Sequence, residues 1–287
     1  MEKKQDSLLL GAHMSIAGGF EKSLERGESI GCTAIQIFTK SGRQWAAKKI
    51  SPKEADLFLA KLKDTPIKTV VAHASYLINI GSPDNTTAKK SINALADELD
   101  RCNILNIPYL VLHPGSRLDS DENECLQRIS DNLNEAMSKT SGKTMLLLET
   151  MAGQGSSIGN TFEQLAFIRS KSEFKSRVGV CLDTCHVFAA GYDFRTPALY
   201  KQMWQDFDAI IGKNHLKAIH LNDSKKELGS NVDRHEDIGK GKIGLEGFRL
   251  LINDKTLMHI PKILETPKKN GLEEDVANIK TIKDLII

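Results

Sequence analysis

Thr69-Val-Val-Ala-His73, Tyr109-Leu-Val-Leu-His113 and Met145-Leu-Leu-Leu-Glu149 decide the reading of this chain of 287 residues. Each is a short β-prone or apolar run that closes on one imidazole or carboxylate. Runs that are apolar at consecutive positions fit strands buried on both faces, the pattern of a parallel sheet covered by helices. The pattern repeats in both directions. Leu8-Leu-Leu-Gly-Ala-His13 and Ala34-Ile-Gln-Ile-Phe-Thr39 lie upstream; Val178-Gly-Val-Cys-Leu-Asp183, Leu216-Lys-Ala-Ile-His220 and Pro261-Lys-Ile-Leu-Glu265 lie downstream. The segments between them read as amphipathic helices. Ser91 to Leu105 places Ile92, Leu95, Ala96, Leu99 and Cys102 near a 3.6 period. Asn160 or Thr161 is a helix cap before Phe162. Val276, Ile279, Ile282 and Leu285 repeat along the last helix. Eight strand–helix units in one chain of this length predict an α/β fold, the closed parallel (β/α)₈ TIM barrel. An open doubly wound sheet is the alternative. No Pro/Gly/Ser linker divides the chain, so one domain is expected over 1–287.

Composition narrows the function less than the motifs do. Lys and Arg number 39 against 37 Asp and Glu, a formal net charge of +2, and a balance this flat selects no partner by itself. No 18-residue apolar window exists, so no membrane span is expected. The charged start, Met1-Glu-Lys-Lys-Gln-Asp-Ser7, does not read as a secretory leader, and a cytoplasmic protein is expected. Five cysteines without a CxxC pair fit neither a disulfide framework nor a zinc ribbon.

Seven of the eight runs end in His, Asp or Glu: His13, His73, His113, Glu149, Asp183, His220 and Glu265. The exception ends in Phe38-Thr39-Lys40. In a barrel the C-terminal strand ends ring one mouth, where active sites are built. Such a set of imidazoles and carboxylates suits a hydrolytic Zn²⁺ or Mn²⁺ site. His186, three residues past Asp183, and the pair Asp233-Arg-His235 add candidate ligands. His215 and His259 fall outside the pattern and read as surface or packing residues. Cys181 shares the phase of Asp183 and reads as barrel packing in preference to a thiolate ligand. Gly239-Lys-Gly-Lys-Ile-Gly244 matches GxGxxG but follows no strand, so a dinucleotide site is not expected. It reads as a turn before the helical stretch from Leu245 to Ile252.

The same residues lie in longer segments: Gly11-Ala-His-Met-Ser-Ile-Ala-Gly-Gly19, Phe38-Thr-Lys40 with Arg43-Gln-Trp45, and His73-Ala-Ser-Tyr-Leu-Ile-Asn79. They continue with His113-Pro-Gly-Ser116, Glu149-Thr-Met-Ala-Gly-Gln-Gly155, Gly179-Val-Cys-Leu-Asp-Thr-Cys-His186, His220-Leu-Asn-Asp-Ser-Lys225, Asp233-Arg-His235 and Leu264-Glu-Thr266. On these segments the sequence closely resembles the endonuclease IV family, zinc-dependent apurinic/apyrimidinic (AP) endonucleases of DNA base-excision repair. The resemblance implies three Zn²⁺. His73 and His113 would hold the first, with Glu149 bridging to the second. Asp183, His220 and Glu265 would complete the second, and His186, Asp233 and His235 the third. It also implies that Arg43 and Tyr76 enter double-stranded DNA at an abasic site. The implied reaction is hydrolysis of the phosphodiester 5′ to that site, leaving a 3′-hydroxyl and a 5′-deoxyribose phosphate, with removal of blocked 3′ ends as a further activity. Three dications against four carboxylates leave the site positive toward a phosphate. Lys40, Arg43, Lys48 and Lys49 are candidate phosphate contacts, and the Gly239–Gly244 turn would lie near DNA phosphates. Ser41-Gly42, Ala74 and Arg117 depart from the family's pattern. A metal-dependent sugar isomerase or epimerase on the same barrel is the alternative enzyme, and a DNA-binding protein with structural zinc the non-enzymatic one. A monomer is expected.

Overall fold

The computed structural model describes residues 8–269 and 271–287. The first seven residues, which carried the expectation of no secretory leader, lie outside that range. The eight strands are β1 (Leu10–Met14), β2 (Ala34–Phe38), β3 (Thr69–His73), β4 (Tyr109–Leu112), β5 (Met145–Glu149), β6 (Val178–Asp183), β7 (Leu216–Leu221) and β8 (Lys262–Leu264). They pair in chain order, every neighbour parallel, and β8 returns to β1 through Leu10↔Lys262 and Ala12↔Leu264. That last pairing closes the barrel and excludes the open sheet.

Helices α1 (Phe20–Ser29), α2 (Pro52–Lys63), α3 (Asn85–Ile104), α4 (Glu122–Ser138) and α5 (Phe162–Lys171) connect the first six strands. A short α6 (Thr184–Ala189) leads to α7 (Pro197–Ile210), followed by α8 (Gly244–Asn253) and α9 (Glu273–Asp284). Local chemistry sets their starts. Ser51 and Glu54 form a capping box on α2, and Thr161 accepts the Gln164 N–H to open α5. Helix α3 begins six residues earlier than its apolar stripe, because Asp84 caps it by accepting from the Thr87 N–H. Ile279 and Ile282 of α9 and Leu285 at its C-cap are buried, but Val276 is exposed. A strict three-residue spacing lags the 3.6-residue turn by 60° per step, so four such positions cannot share one face. Among the described residues no helix is long and apolar enough to cross a membrane.

Strand side chains alternate between two cores. Val70, Ala72, Leu110, Leu112, Leu146 and Leu148 face the helix layer and join the large outer core. Ala34, Val71, Val111, Leu147, Cys181, Ala218 and Ile263 form a smaller cluster, one residue from each of seven strands, inside the barrel. Cys181 is therefore packing, as its phase predicts. The eighth strand contributes Gly11 at this level. A Cβ there would lie 1.7 Å from the Ala34 carbonyl oxygen, so no side chain fits where β1 and β2 approach. Two residues further along each strand, in the same inward phase, come His13, Gln36, His73, His113, Glu149, Asp183, His220 and Glu265. The apolar cluster is the floor on which they stand.

Candidate metal centre

Glu149 lies at the middle of the mouth and is fully buried. His73 Nε2 and His113 Nε2 each stand 3.2 Å from its Oε2. Its Oε1 lies 2.9 Å from His220 Nδ1 and 3.4 Å from His186 Nδ1. His220 Nδ1 is also 3.1 Å from Glu265 Oε2 and 3.9 Å from Asp183 Oδ2. Asp233 reaches His186 Nε2 at 3.2 Å with one oxygen and His235 Nε2 at 3.3 Å with the other. All nine residues nominated as ligands thus meet on one rim.

They fall into compact groups whose donor atoms lie within 4.8 Å of one another. His73, His113 and Glu149 form one, and Glu149, Asp183, His220 and Glu265 a second, as expected. The third differs in membership. Asp183 joins His186 and His235, while Asp233 and His235 group with Cys185. Asp183 faces both, with Oδ2 3.8 Å from His235 Nε2. Burial pushes the Cys185 thiol up to about 12, which keeps it neutral near pH 7. His13 stays outside the groups, its Nδ1 3.5 Å from Glu265 Oε1. His215 is half-buried and His259 exposed, both away from the rim.

Backbone and side-chain partners aim the rings. The far nitrogen of each of four histidines has a hydrogen-bond partner: His73 Nδ1 with the Ala74 carbonyl at 2.7 Å, His186 Nδ1 with the Thr150 carbonyl at 2.7 Å, His235 Nδ1 with the Glu265 carbonyl at 3.1 Å, and His220 Nε2 with Gln36 Oε1 at 2.8 Å. Each far nitrogen is then the N–H donor, and the near nitrogen presents a lone pair to the carboxylates. Two lone pairs facing each other repel, so each such contact needs a cation or a proton between its partners.

Without metal ions, protons on the imidazoles take that role. Burial disfavours an ionised Glu149, but His220 and His113 outweigh it and hold the carboxyl well below its usual range. Burial also opposes charge on His186 and His220. Asp183, Asp233 and Glu149 nonetheless raise His186 well above its usual value, and Cys181, Glu265 and Glu149 raise His220.

Residues 24–284 match a family model described as a xylose isomerase-like TIM barrel. The chain is 49% identical to a protein named "Probable endonuclease 4" from Chloroflexus aggregans, over 96% of this chain and 97% of that one. It is 46% identical to its namesake from Geobacter sulfurreducens, over 96% and 94%. The crystal structure of endonuclease IV from Thermus thermophilus has a TM-score of 0.86 at 35% identity, covering 96% of this chain and 98% of that one. The chain belongs to the endonuclease IV family. A D-tagatose 3-epimerase-like protein, with a TM-score of 0.72 at 20% identity, shares the barrel alone.

Two buried nitrogens of this endonuclease IV family member test the fit of metal ions. His186 Nε2 and His235 Nε2 have no hydrogen-bond partner. Their contacts with Asp233 satisfy distance but not hydrogen-bond geometry. Buried polar atoms are rarely left so, and an orphaned imidazole nitrogen beside a carboxylate suits a cation. The residues present fit a multinuclear site of nitrogen and oxygen donors.

The rim carries the two candidate DNA residues. Tyr76 is 58% exposed, and its ring packs against Phe38, His73 and His113. Arg43 is exposed on the neighbouring loop. Gly42 joins the two loops, its carbonyl accepting from the Tyr76 N–H at 3.2 Å and the Ser75 hydroxyl at 2.9 Å. Gly42 and Ala74, both departures from the family's pattern, serve here through their carbonyls, which no side-chain change removes. Helix α3 anchors the same loops. Glu98 accepts from the Ser75 N–H, and Arg101 donates to the Thr39 and Lys48 carbonyls.

Two expectations are corrected. Lys40 is no phosphate contact: it is buried, 3.2 Å from Asp97 and 3.5 Å from Glu98, because the β2 end turns it into α3. Lys48 and Lys49 are exposed. The glycine loop does not offer its amides to DNA either. The N–H groups of Gly239, Gly241 and Ile243 donate to the buried Asp223 carboxylate at 2.9, 3.1 and 2.9 Å. A Cβ on Gly241 would lie 2.4 Å from Asp223 Oδ1 and from the Ser224 carbonyl oxygen. The motif cradles an anion, but that anion belongs to the protein.

Sequence reasoning missed the partners behind the ligands. Thr150 accepts the Asp183 N–H, Asn222 donates to Asp183 Oδ2 and accepts the Glu265 N–H, and Gln154 accepts the Asp233 N–H. Gln36 alone left a signal, as the one polar residue amid Ala-Ile-Gln-Ile-Phe. It lies inside its strand and not at the end, where the other candidates stand.

Proposed function

We propose that this protein is an AP endonuclease: a zinc-dependent hydrolase that cuts double-stranded DNA at the phosphodiester 5′ to an abasic site, leaving a 3′-hydroxyl and a 5′-deoxyribose phosphate. The observation that carries the reading is the meeting of eight nitrogen and oxygen donors, from strands β3 to β8 and the loops after them, in groups no wider than 4.8 Å, with Asp233 3.2 Å from His186 and 3.3 Å from His235. Family membership narrows the chemistry from metal-assisted catalysis in general to nucleic-acid cleavage. His73, His113 and Glu149 would hold one Zn²⁺; Glu149, Asp183, His220 and Glu265 a second; His186, Asp233 and His235 a third. Divalent ions in such a site supply Lewis acidity and charge neutralisation toward a phosphodiester, and lower the pKa of a water from 15.7 to about 7.

The chain's own residues do the placing. Glu149 gives one oxygen to each side of the centre and sets the separation of the halves. Tyr76, packed over His73 and His113, presents its exposed face to the groove at the point where a base is missing. Arg43 joins it from the tethered loop. A duplex lacking one base is cheaper to distort, so a tyrosine and an arginine suffice to select the lesion. A cleft of about 810 Å³ opens beside the cluster, lined by His13, Phe38, Gly42, Tyr76, Glu265 and Lys268 among others, with room for an extruded deoxyribose. Removal of blocked 3′ ends uses the same bond cleavage. The reading includes a single barrel domain over 1–287, acting as a monomer in the cytoplasm.

The test is an oligonucleotide duplex with one abasic analogue. Zinc-loaded protein is expected to nick it on the 5′ side, and Glu149→Gln to lose on the order of 10²-fold or more in rate. Metal analysis should return close to three zincs per chain. No incision above the Glu149→Gln level would refute the reading.

A further inference from the structure

Gln36 lies in the middle of β2 but level with the rim ligands of the other strands, and it is completely buried. Its carboxamide touches two candidate ligands at once. Oε1 lies 2.8 Å from His220 Nε2, and Nε2 lies 2.5 Å from Glu265 Oε1. His13 Nδ1 stands 3.1 Å from the same amide nitrogen. The register explains the reach: Gln36 is paired with His13 of β1 and Val71 of β3, so its side chain enters the mouth between them.

An amide completes this pattern without a charge, offering an acceptor oxygen and a donor NH₂ on one planar group. Its carbonyl oxygen requires a donor, so His220 carries its proton on Nε2 and keeps Nδ1 free toward Glu149 and Glu265. Its NH₂ requires an acceptor, so Glu265 Oε1 is engaged and Oε2 turns inward, 3.1 Å from His220 Nδ1. A carboxylate at position 36 would face Glu265 with like charge, and an apolar residue would leave both partners buried and unmatched.

We propose that Gln36 is a positioning residue of the second metal subsite, fixing at once the tautomer of His220 and the choice of Glu265 oxygen that faces the ion. This rests on the metal-dependent reading above, and deepens it. Gln36 acts through its partners and touches no substrate, so its loss should weaken ion binding without removing a step of the reaction.

The experiment compares the wild-type protein with Gln36→Met, which keeps the length and loses both hydrogen bonds. Protein stripped by a chelator is titrated with Zn²⁺ against a chromophoric competitor. The wild type should rebind its full complement. Gln36→Met should bind part of that complement roughly 10–100-fold more weakly, the usual effect of removing a partner behind a metal ligand. Stoichiometry at saturation should be unchanged, and the metal-free variant should keep its circular dichroism and a cooperative melt. Incision of the abasic duplex should fall at limiting zinc and return toward the wild-type rate in excess zinc. Zinc affinity within two-fold of wild type would overturn the proposal, as would an activity loss that excess zinc does not restore. Gln36→Leu is the second variant; failure of both to fold would make Gln36 a structural residue and likewise overturn it. Failure of the underlying reading looks different, because then the wild type itself takes up no metal or leaves the duplex intact.

Discussion

His186 divides its contacts between fold and site. Its backbone N–H donates to Asp183 Oδ1 at the start of α6, its Nδ1 pairs with the Thr150 carbonyl, and its Nε2 is left for the rim. Truncation should separate these contacts. His186→Ala keeps the backbone N–H and removes a buried ring, leaving a cavity and one carbonyl without its donor, at a cost of about 2–4 kcal/mol. The expected result is a folded protein that has lost about one zinc of three and at least ~10-fold in incision, read by metal analysis and a melting curve. Unchanged zinc content would remove His186 from the ligand set. Arg43 and Tyr76 answer differently: neither is a candidate ligand, so Tyr76→Ala should weaken incision while leaving the zinc count intact.

At the scale of elements, the Asp223 cradle holds the part of the molecule that carries the third group of ligands. Asp223–Ser224 pairs antiparallel with His235–Glu236, placing Asp233 and His235 over the mouth. The glycine loop closes around the Asp223 carboxylate from the other side. Asp223→Ala should leave four N–H groups, those of Ser224, Gly239, Gly241 and Ile243, without their acceptor and destabilise the protein by on the order of 3 kcal/mol. In a domain of this size that lowers the melting temperature by roughly 6–12 °C. Gly241→Ala should act in the same direction, because its Cβ meets backbone as well as the carboxylate. A melting temperature equal to wild type in Asp223→Ala would show that water satisfies those amides.

For the whole molecule, the cluster makes the stability of metal-free protein depend on pH. His186 and His220 have raised values in the folded state. Their contribution is complete below the ordinary histidine value of 6.5 and is lost as pH rises through the folded values. Glu149 is depressed, so its contribution is complete above 4.5 and is lost as pH falls toward its folded value. Chelated protein should therefore be most stable between roughly pH 4.5 and 6.5 and lose stability on the alkaline side, where protons leave a crowd of four carboxylates. Zinc-loaded protein should not show that alkaline loss, since bound cations replace the protons. Melting temperatures of both forms from pH 5 to 9 provide the check; parallel curves would contradict it.

The barrel and nine of its rim residues were legible in one dimension. Eight apolar runs set the strands, and a polar residue at the end of most of them set the mouth, because strand direction alone carries side chains of the inward phase to one end. Boundaries such as Thr69–His73 and Val178–Asp183 follow from burial on both faces, a local property. What only the folded chain decided is which groups stand behind the ligands and which charges are consumed internally. Lys40 belongs to Asp97 and Glu98, the glycine loop belongs to Asp223, and Gln36 belongs to His220 and Glu265, across separations that run from 16 to 229 residues of sequence. Such pairings depend on closure of the barrel, which brings distant side chains within hydrogen-bond range, and spacing along a chain holds no record of that distance.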